Sequence, residues 1–189
     1  MIIPRPGMMG QRSSIDNSLG SVQNEKMNIA ILATGGTFDK EYNEIDGTLH
    51  FRKSHIEEML AMGRCRVPVR VEVLMMKDSL QIDDQDRRII LEACLRAPED
   101  RIMITHGTDT MAESAAYLYE NIDNKTVVLT GAMIPYSFGS SDGLFNFGSA
   151  LSFVQTLPVG VWVAMNGQLF PGDRVMKDRA TGTFLEKLR

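Results

Sequence analysis

The chain of 189 residues contains few cysteines and histidines, the side chains that form disulfide frameworks and zinc sites. Its two cysteines, Cys65 and Cys94, are too few for a disulfide framework. Its three histidines are scattered, and no cysteine stands at a metal-ligand spacing from any of them. The sequence therefore excludes a disulfide scaffold and argues against a zinc site.

The sequence also lacks a positive charge surplus and long apolar runs. Lys and Arg number 20 against 24 Asp and Glu, so no basic face is available to hold the phosphates of nucleic acid. No stretch approaches the roughly 20 apolar residues of a membrane span. Residues 1–26 lack the apolar core of a secretion signal and are rich in Pro, Gly, Ser, Asn and Gln. We expect a flexible N-terminal arm over residues 1–26 and a cytoplasmic protein that binds neither nucleic acid nor membrane.

The sequence does contain short apolar runs that alternate with helical patterns. Continuous apolar runs without a period of two indicate strands buried on both faces, as in a parallel sheet covered by helices. Alternation of strand and helix then predicts an α/β three-layer sandwich with a mostly parallel, flavodoxin- or Rossmann-like sheet. The five predicted strands are Ile29–Ala33, Val69–Met75, Arg101–Thr105, Val127–Thr130 and Val159–Met165.

Three segments between these runs are predicted to be helical. Three aspartates within residues 83–86 open the first helix. Its core side is expected to comprise Ile89, Ile90, Ala93, Cys94 and Ala97. The second helix is predicted to start with a capping box between Thr110 and Glu113. Its core side is expected to comprise Met111, Ala115, Leu118 and Tyr119. The third helix is predicted over Phe145–Thr156.

Two threonine-rich loops follow strand runs, where an open α/β sheet binds its ligands. The loop Thr34-Gly35-Gly36-Thr37 has adjacent glycines, which allow a tight turn and a close approach to a ligand. It matches neither phosphate-binding glycine motif. The loop Thr105–Thr110 places Thr108 and Asp109 at a helix N-terminus. From the residues alone, a plain glycine turn is the favoured explanation of the first loop, and a plain helix start explains the second as well as a site does.

A threonine hydroxyl needs activation before it becomes a nucleophile. His106 lies between a buried strand and a glycine, so we expect it to be structural. Lys177 follows the fifth strand run and is another candidate base. A single lysine is equally explained as a solvated surface charge, so both interpretations stay open.

Together these segments resemble the bacterial-type L-asparaginase family. The resemblance rests on four blocks in order: ILATGGTF at Ile31–Phe38, ITHGTDTM at Ile104–Met111, Gly131–Asn146, and Met165-Asn166 with Lys177 beyond it. It implies that residues 27–189 form the N-terminal catalytic domain of that family. Family members carry a second, smaller domain that completes the neighbouring subunit's site, and we expect this chain, which ends at Arg189, to lack it.

The resemblance implies a role for individual residues. Thr37 matches the nucleophile that attacks the side-chain amide carbonyl and carries the acyl group. Thr108, Asp109 and Lys177 match a second catalytic group, in which the lysine supports proton transfer and Asp109 contacts the substrate amino group. Ser79 lies in a segment that resembles the family's loop for the substrate carboxylate.

Further roles follow from the same resemblance. Gly36 and Thr108 are expected to supply an N–H and a hydroxyl to the oxyanion. Tyr42 is the only tyrosine in the loop Asp39–Leu49, and it matches a mobile tyrosine that activates the nucleophile, although it comes early in a short loop. Leu80 stands where the family often has a polar residue, so we expect one hydrogen bond to the substrate carboxylate to be lost.

The implied activity is hydrolysis of L-asparagine to L-aspartate and ammonia through a threonine acyl-enzyme, with no metal or organic cofactor. Two alternatives stay open: a glutaminase or amidotransferase subunit that releases ammonia, and a non-catalytic amino-acid-binding module. The expected partner is a small-molecule substrate, asparagine or glutamine. A homodimer or a higher homo-oligomer is also expected, because the apolar surface that the second domain covers in the family needs a partner.

Overall fold

A computed structural model describes residues 28–187, so the arm predicted over residues 1–26 lies outside the described residues. In chain order, the described strands are β1 (Ile29–Gly35), β2 (Lys40–Asn43), β3 (Thr48–Phe51), β4 (Val69–Lys77), β5 (Arg101–Thr105), β6 (Thr126–Thr130), β7 (Gly160–Met165), β8 (Gln168–Pro171), β9 (Val175–Asp178) and β10 (Thr183–Glu186). The described α-helices are α1 (Ile56–Met62), α2 (Asp84–Arg96), α3 (Met111–Asn121) and α4 (Gly143–Thr156). The five predicted strands and three predicted helices are all present.

The main sheet has the order β4-β1-β5-β6-β7-β8. Its first five strands are parallel, and β8 joins antiparallel to β7. Numbered along the chain, the parallel strands stand in the order 2-1-3-4-5, which is the flavodoxin arrangement. The predicted α/β sandwich with a mostly parallel sheet is therefore confirmed. Two small antiparallel hairpins, β2–β3 and β9–β10, lie outside this sheet.

Helices cover both faces of the sheet. Apolar residues of α2 and α3 pack on one face, and those of α1 and α4 pack on the other. Strand β1 is buried throughout, because it has strands on both edges and helices on both faces. The prediction that every strand is buried on both faces is wrong for β4. This strand lies at the sheet edge, and its residue Val73 is exposed. None of the described helices is long and apolar enough to cross a membrane.

Helix α2 begins with a capping box that joins Asp83 and Asp86. Asp86 N donates to Asp83 Oδ1 at 2.9 Å, and Asp83 N donates to Asp86 Oδ2 at 3.1 Å. Four of the five predicted core residues are buried: Ile90, Ala93 and Cys94 in the helix, and Ala97 at its C-cap. Ile89 is exposed, so its assignment to the core side is wrong. Adjacent helical residues point about 100° apart, and Ile90 takes the inward direction.

Helix α3 begins after Thr110, as predicted, but without the predicted capping box. Thr110 makes no side-chain cap. Its Oγ1 instead donates to the carbonyl of Ser79 at 2.7 Å, which ties the start of the helix to the segment that follows β4. Tyr119 is exposed, so its assignment to the core side is also wrong, and Leu118 is the buried neighbour.

Candidate active site

The loops after β1 and β5 meet at the carboxyl end of the sheet. In the 2-1-3-4-5 order, the crevice of an open sheet lies between the first and third strands, which here are β1 and β5. A Cβ added to Gly36 would lie 2.5 Å from Gly107 Cα, so the two backbones are in contact. Gly36 has φ 74° and ψ −173°, a conformation that is essentially confined to glycine. Thr37 and Thr108, which follow these two glycines, therefore belong to one crevice.

Thr37 is half-buried and opens a short 3-10 turn, Thr37–Asp39. Within residues 28–187, no hydrogen bond engages its hydroxyl, which leaves the hydroxyl available to a substrate. The N–H of Gly36 donates to the carbonyl of Lys77 at 2.8 Å. That bond corrects the expectation that Gly36 supplies an N–H to an oxyanion. The N–H of Thr37 is the better candidate, because the first N–H groups of a helical turn have no partner within the turn.

Lys177 connects the second threonine loop to the C-terminal hairpin. It lies on β9, beside α3, and its Nζ donates to Thr108 Oγ1 and to Asp109 Oδ1, both at 2.7 Å. Its side chain is only 8% exposed. Lys177 is therefore not a solvated surface charge, and the structure brings it together with Thr108 and Asp109 as the resemblance implied.

The hydrogen bonds of Thr108 determine where its hydroxyl group donates. Its oxygen accepts a hydrogen bond from Lys177, and its hydrogen is directed to Met133 Sδ at 3.5 Å. A thioether sulfur is a weak acceptor, so a substrate atom with greater hydrogen-bonding power can replace it. Met133 belongs to the loop that follows β6, which is thereby part of the crevice wall.

Ser79 is in contact with the second threonine loop. It starts a 3-10 turn that Asp78 caps, with Leu80 N donating to Asp78 Oδ1 at 3.0 Å. Ser79 is buried, and its Oγ accepts the N–H of Asp109 at 3.2 Å. A Cβ on Gly107 would lie 2.6 Å from the same oxygen, so Ser79 packs against the second threonine loop at Gly107, whose backbone also contacts Gly36 of the first loop. Leu80 is 66% exposed beside it.

Tyr42 is not brought to Thr37. It lies on β2, opposite Leu49 in the β2–β3 hairpin, and 55% of it is exposed. No hydrogen bond within residues 28–187 joins Tyr42 to the Thr37 hydroxyl. The segment Asp39–Leu49, which we expected to be a loop, is mostly this antiparallel hairpin.

Two polar residues that sequence reasoning left without a role hold the crevice wall. Asn146 is fully buried on α4. Its Nδ2 donates to Gly131 O at 3.0 Å, and its Oδ1 accepts the N–H of Asn166 at 2.9 Å. Asp142 accepts the N–H groups of Met133 and Ile134, both at 3.0 Å. An asparagine on the apolar core side of a helix was the available signal for this network.

His106 is structural, as predicted. It is fully buried, with Nε2 2.9 Å from Ser114 Oγ and Nδ1 2.8 Å from Gly107 O. Burial lowers the pKa of His106 to about 4, so the imidazole is neutral at ordinary pH. Among residues 28–187, no three His, Cys, Asp or Glu side chains are grouped to hold a metal ion.

Comparison with known proteins agrees with this geometry. Residues 28–184 match the family described as "Asparaginase, N-terminal", and the chain belongs to that family. The L-asparaginase of Thermococcus kodakarensis is 31% identical over 161 residues, which cover 82% of this chain and 49% of the relative. The glutaminase-asparaginase of Pseudomonas fluorescens biotype A is 32% identical over 169 residues, with coverage of 79% and 45%.

The solved structures that resemble this chain are also L-asparaginases. The thermostable L-asparaginase from Thermococcus kodakarensis superposes with a TM-score of 0.75 at 30% identity, over 85% of this chain and 51% of that one. The probable cytoplasmic L-asparaginase from Campylobacter jejuni gives a TM-score of 0.69 at 32% identity, over 80% and 50%. The chain thus spans about half the length of the relatives that it matches.

Proposed function

We propose that this chain hydrolyses the side-chain amide of L-asparagine to give L-aspartate and ammonia, with Thr37 as the nucleophile. The observation that carries the proposal is the Lys177 ammonium, held at 2.7 Å from both Thr108 Oγ1 and Asp109 Oδ1 in the crevice that Thr37 shares. We also propose that residues 27–189 act as one catalytic domain, and the family match over residues 28–184 supports that extent.

In the first half of the reaction, Thr37 Oγ attacks the amide carbonyl carbon. The C–N bond breaks, an ester to Thr37 forms, and the proton from the threonine hydroxyl leaves on ammonia. The N–H of Thr37 and the hydroxyl of Thr108 stabilise the negative oxygen that forms on the way. Tyr42 is proposed to relay the proton after the β2–β3 hairpin moves toward the crevice.

In the second half, water attacks the ester and Thr37 recovers its proton. We assign the activation of this water to the group formed by Lys177, Thr108 and Asp109. Lys177 orients the Thr108 hydroxyl by donating to its oxygen, which fixes where that hydroxyl directs its own hydrogen. The reaction needs no metal or organic cofactor in this scheme.

Charged groups of the substrate are matched by Asp109 and Ser79. Asp109 uses Oδ1 for Lys177, and the described residues make no hydrogen bond to its Oδ2, which is available to a substrate ammonium group. Ser79 Oγ accepts the N–H of Asp109, so its own hydrogen is available to the substrate carboxylate. Glutamine is the second candidate substrate, because the Pseudomonas relative is named a glutaminase-asparaginase.

The proposal extends to the setting of the protein. We propose a cytoplasmic location, which the probable cytoplasmic relative from Campylobacter jejuni supports. We also propose a homodimer or a higher homo-oligomer. Phe145 at the start of α4 and Ile134 and Phe138 before it are exposed, and an apolar surface of this kind favours association.

Ammonia release by the purified chain, supplied with asparagine or with glutamine, tests the proposal. Replacement of Thr37 with Ala is expected to reduce kcat by roughly a thousandfold or more, because the acyl-enzyme can no longer form. Thr156→Ala, on the exposed end of α4, is the matched control and is expected to keep the rate. An unchanged rate in Thr37→Ala would refute the nucleophile, and tight binding of aspartate without turnover would favour the binding module.

A further inference from the structure

The nucleophile turn, Thr37–Asp39, is attached on both sides to two consecutive residues at the end of β4. Before the turn, the N–H of Gly36 donates to the carbonyl of Lys77 at 2.8 Å. After the turn, the ammonium of Lys40 pairs with the carboxylate of Asp78. Lys77 is the last residue of β4, and Asp78 directly follows it. One backbone bond and one ion pair therefore hold the nucleophile turn to the neighbouring strand.

Lys40 lies on the same face of the nucleophile turn as the Thr37 side chain. The N–H of Lys40 donates to the carbonyl of Thr37 and so closes the 3-10 turn. Side chains three residues apart are eclipsed in a 3-10 turn, so the lysine stem follows the face that carries the Thr37 hydroxyl. The Lys40 side chain is only 18% exposed. Its ion pair with Asp78 is thus made inside the fold, beside the nucleophile.

Asp78 connects this ion pair to the turn that Ser79 begins. Its Oδ2 accepts from the Lys40 ammonium, and its Oδ1 accepts the N–H of Leu80 at 3.0 Å, which caps the Ser79 turn. One carboxylate therefore links the turn of the nucleophile to the turn of the serine proposed to bind the substrate carboxylate. Leu80 has no polar side-chain atom to offer that carboxylate, so its binding depends all the more on where Ser79 lies.

The remaining contacts of Lys40 leave the direction of its ammonium unchanged. Its carbonyl accepts the Ser137 hydroxyl at 3.0 Å, and its Nζ lies 5.9 Å from the centroid of the Phe51 ring. Within residues 28–187, Asp78 is the only carboxylate that forms an ion pair with Lys40. The side chain therefore has one charged partner, and that partner belongs to the Ser79 segment.

We infer that Lys40 is a positioning residue that sets selectivity for a substrate with an α-carboxylate. Through Asp78 it holds Ser79 at a fixed separation from Thr37, so a substrate whose carboxylate is bound at Ser79 presents its amide to the nucleophile. The inference rests on the proposed function, which assigns the amide to Thr37 and the carboxylate to Ser79. An ion pair that only stabilised the fold would affect all substrates alike.

Two amides that differ only in the α-carboxylate test the inference. 3-Aminopropanamide is asparagine without that carboxylate, so it keeps an amide for Thr37 and an amino group for Asp109. In Lys40→Met, kcat/KM should fall roughly tenfold for asparagine, the size expected for one hydrogen bond between charged groups, and by less than about twofold for 3-aminopropanamide. Lys53→Met, which removes an exposed lysine paired with Glu58, is the matched control and should change neither value. An equal loss for both amides would overturn the inference.

A second variant tests whether Lys40 acts through Asp78. Asp78→Asn removes the charge but keeps an oxygen that can accept the N–H of Leu80, so the Ser79 turn remains capped. Its selectivity for asparagine should fall as in Lys40→Met, and the double variant should fall no further, because both changes remove the same interaction. Full selectivity in Asp78→Asn, or losses that multiply in the double variant, would contradict the inference.

Binding of the products separates this inference from the proposed function, because it needs no turnover. In calorimetry, Lys40→Met should bind L-aspartate roughly tenfold more weakly and 3-aminopropanoate, which lacks the α-carboxylate, as well as the unsubstituted chain does. This result in a chain that releases no ammonia would support the role of Lys40 and refute the proposed hydrolysis. Ammonia release with unchanged selectivity and unchanged aspartate binding in Lys40→Met would do the reverse. An unsubstituted chain that neither releases ammonia nor binds aspartate would refute both.

Discussion

Gly36 and Gly107 are in backbone contact where β1 and β5 end, and a side chain on either residue would enter an occupied space. A Cβ on Gly36 would lie 2.5 Å from Gly107 Cα, and a Cβ on Gly107 would lie 2.6 Å from Ser79 Oγ. The three segments that follow β4, β1 and β5 therefore touch one another through glycine. Because those strands are neighbours in the sheet, the contact sets the separation of the two threonine loops.

Replacement of Gly36 with Ala should lower the free energy of unfolding by about 3 kcal/mol, through the positive φ and the clash with backbone atoms. Urea denaturation measures this loss. Gly148→Ala is the control, because a Cβ there meets nothing within 4 Å and lies inside α4. The control is expected to gain about 0.5–1 kcal/mol from helix propensity. Equal stability of the two variants would contradict this account of the loop contact.

Lys177→Met should abolish most of the activity while the fold persists. The variant removes the donor that Thr108 and Asp109 share, and we expect kcat to fall by about a hundredfold or more. Steady-state kinetics with asparagine measures the effect. Arg179→Met, two residues further along and exposed, should retain the activity of the unsubstituted chain. A similar loss in both variants would show that the activity depends on the β9–β10 hairpin as a whole and not on the Lys177 side chain.

The neutral state of His106 should make the stability depend on pH between about 4 and 6.5. The unfolded imidazole takes up a proton near pH 6.5, whereas the buried ring remains neutral until about pH 4, so stability falls as the pH decreases through this window. The loss should reach about 3 kcal/mol at pH 4. Denaturation of the unsubstituted chain and of His106→Gln at several pH values isolates this contribution, because the variant should lack it. Parallel stability curves for the two chains would be inconsistent with a neutral buried ring.

Asn146→Ala should destabilise the crevice wall. The change leaves the buried carbonyl of Gly131 without its donor and removes the acceptor of the Asn166 N–H, at a cost of about 1–3 kcal/mol. Thermal unfolding measures the loss. Ser149→Ala on the exposed side of the same helix should be nearly neutral, because its hydroxyl bonds only to the carbonyl of Phe145. Loss of less than 1 kcal/mol in Asn146→Ala would argue against the proposed network.

The two thiols should differ strongly in reactivity. Cys94 is buried, and burial raises the pKa of its thiol to about 12, whereas Cys65 is partly exposed. Titration of the native chain with a chromogenic disulfide should show one fast thiol, which Cys65→Ser removes, and a second thiol that reacts only after denaturation. Fast reaction of both native thiols would show that α2 opens locally.

Features that depend on local pattern were predictable from the sequence, because a strand buried on both faces has apolar side chains at consecutive positions. The strands Ile29–Ala33 and Arg101–Thr105 are of this kind. Features that depend on distant partners were not predictable. Nothing near Thr110 indicates that its hydroxyl bonds to Ser79, 31 residues away, instead of closing a capping box. Ile89 and Ile90 are equally apolar, and only packing decides which of them faces the sheet.

The same distinction applies to the site. Thr108 and Asp109 were identifiable at a helix start, and the role of Lys177 came from the resemblance to a family. The contact between Lys40 and Asp78 left no trace in the sequence, because the two residues are 38 positions apart and meet only where β1 and β4 end side by side. The Gly36 N–H was assigned to an oxyanion because the sequence does not show that Lys77 accepts it.

The strand order also determines when the site can form during synthesis and folding. The first strand lies between two strands that are synthesised after it, so its pairing depends on later parts of the chain. Thr34 bonds to Thr105 at a separation of 71 residues, and Thr108 bonds to Lys177 at a separation of 69. Such distant pairings slow folding, because chain entropy is lost before the contacts form. A ribosome-bound chain that has not yet exposed β9 therefore carries Thr37 without Lys177, and the proposed activity should appear only after β9 has emerged.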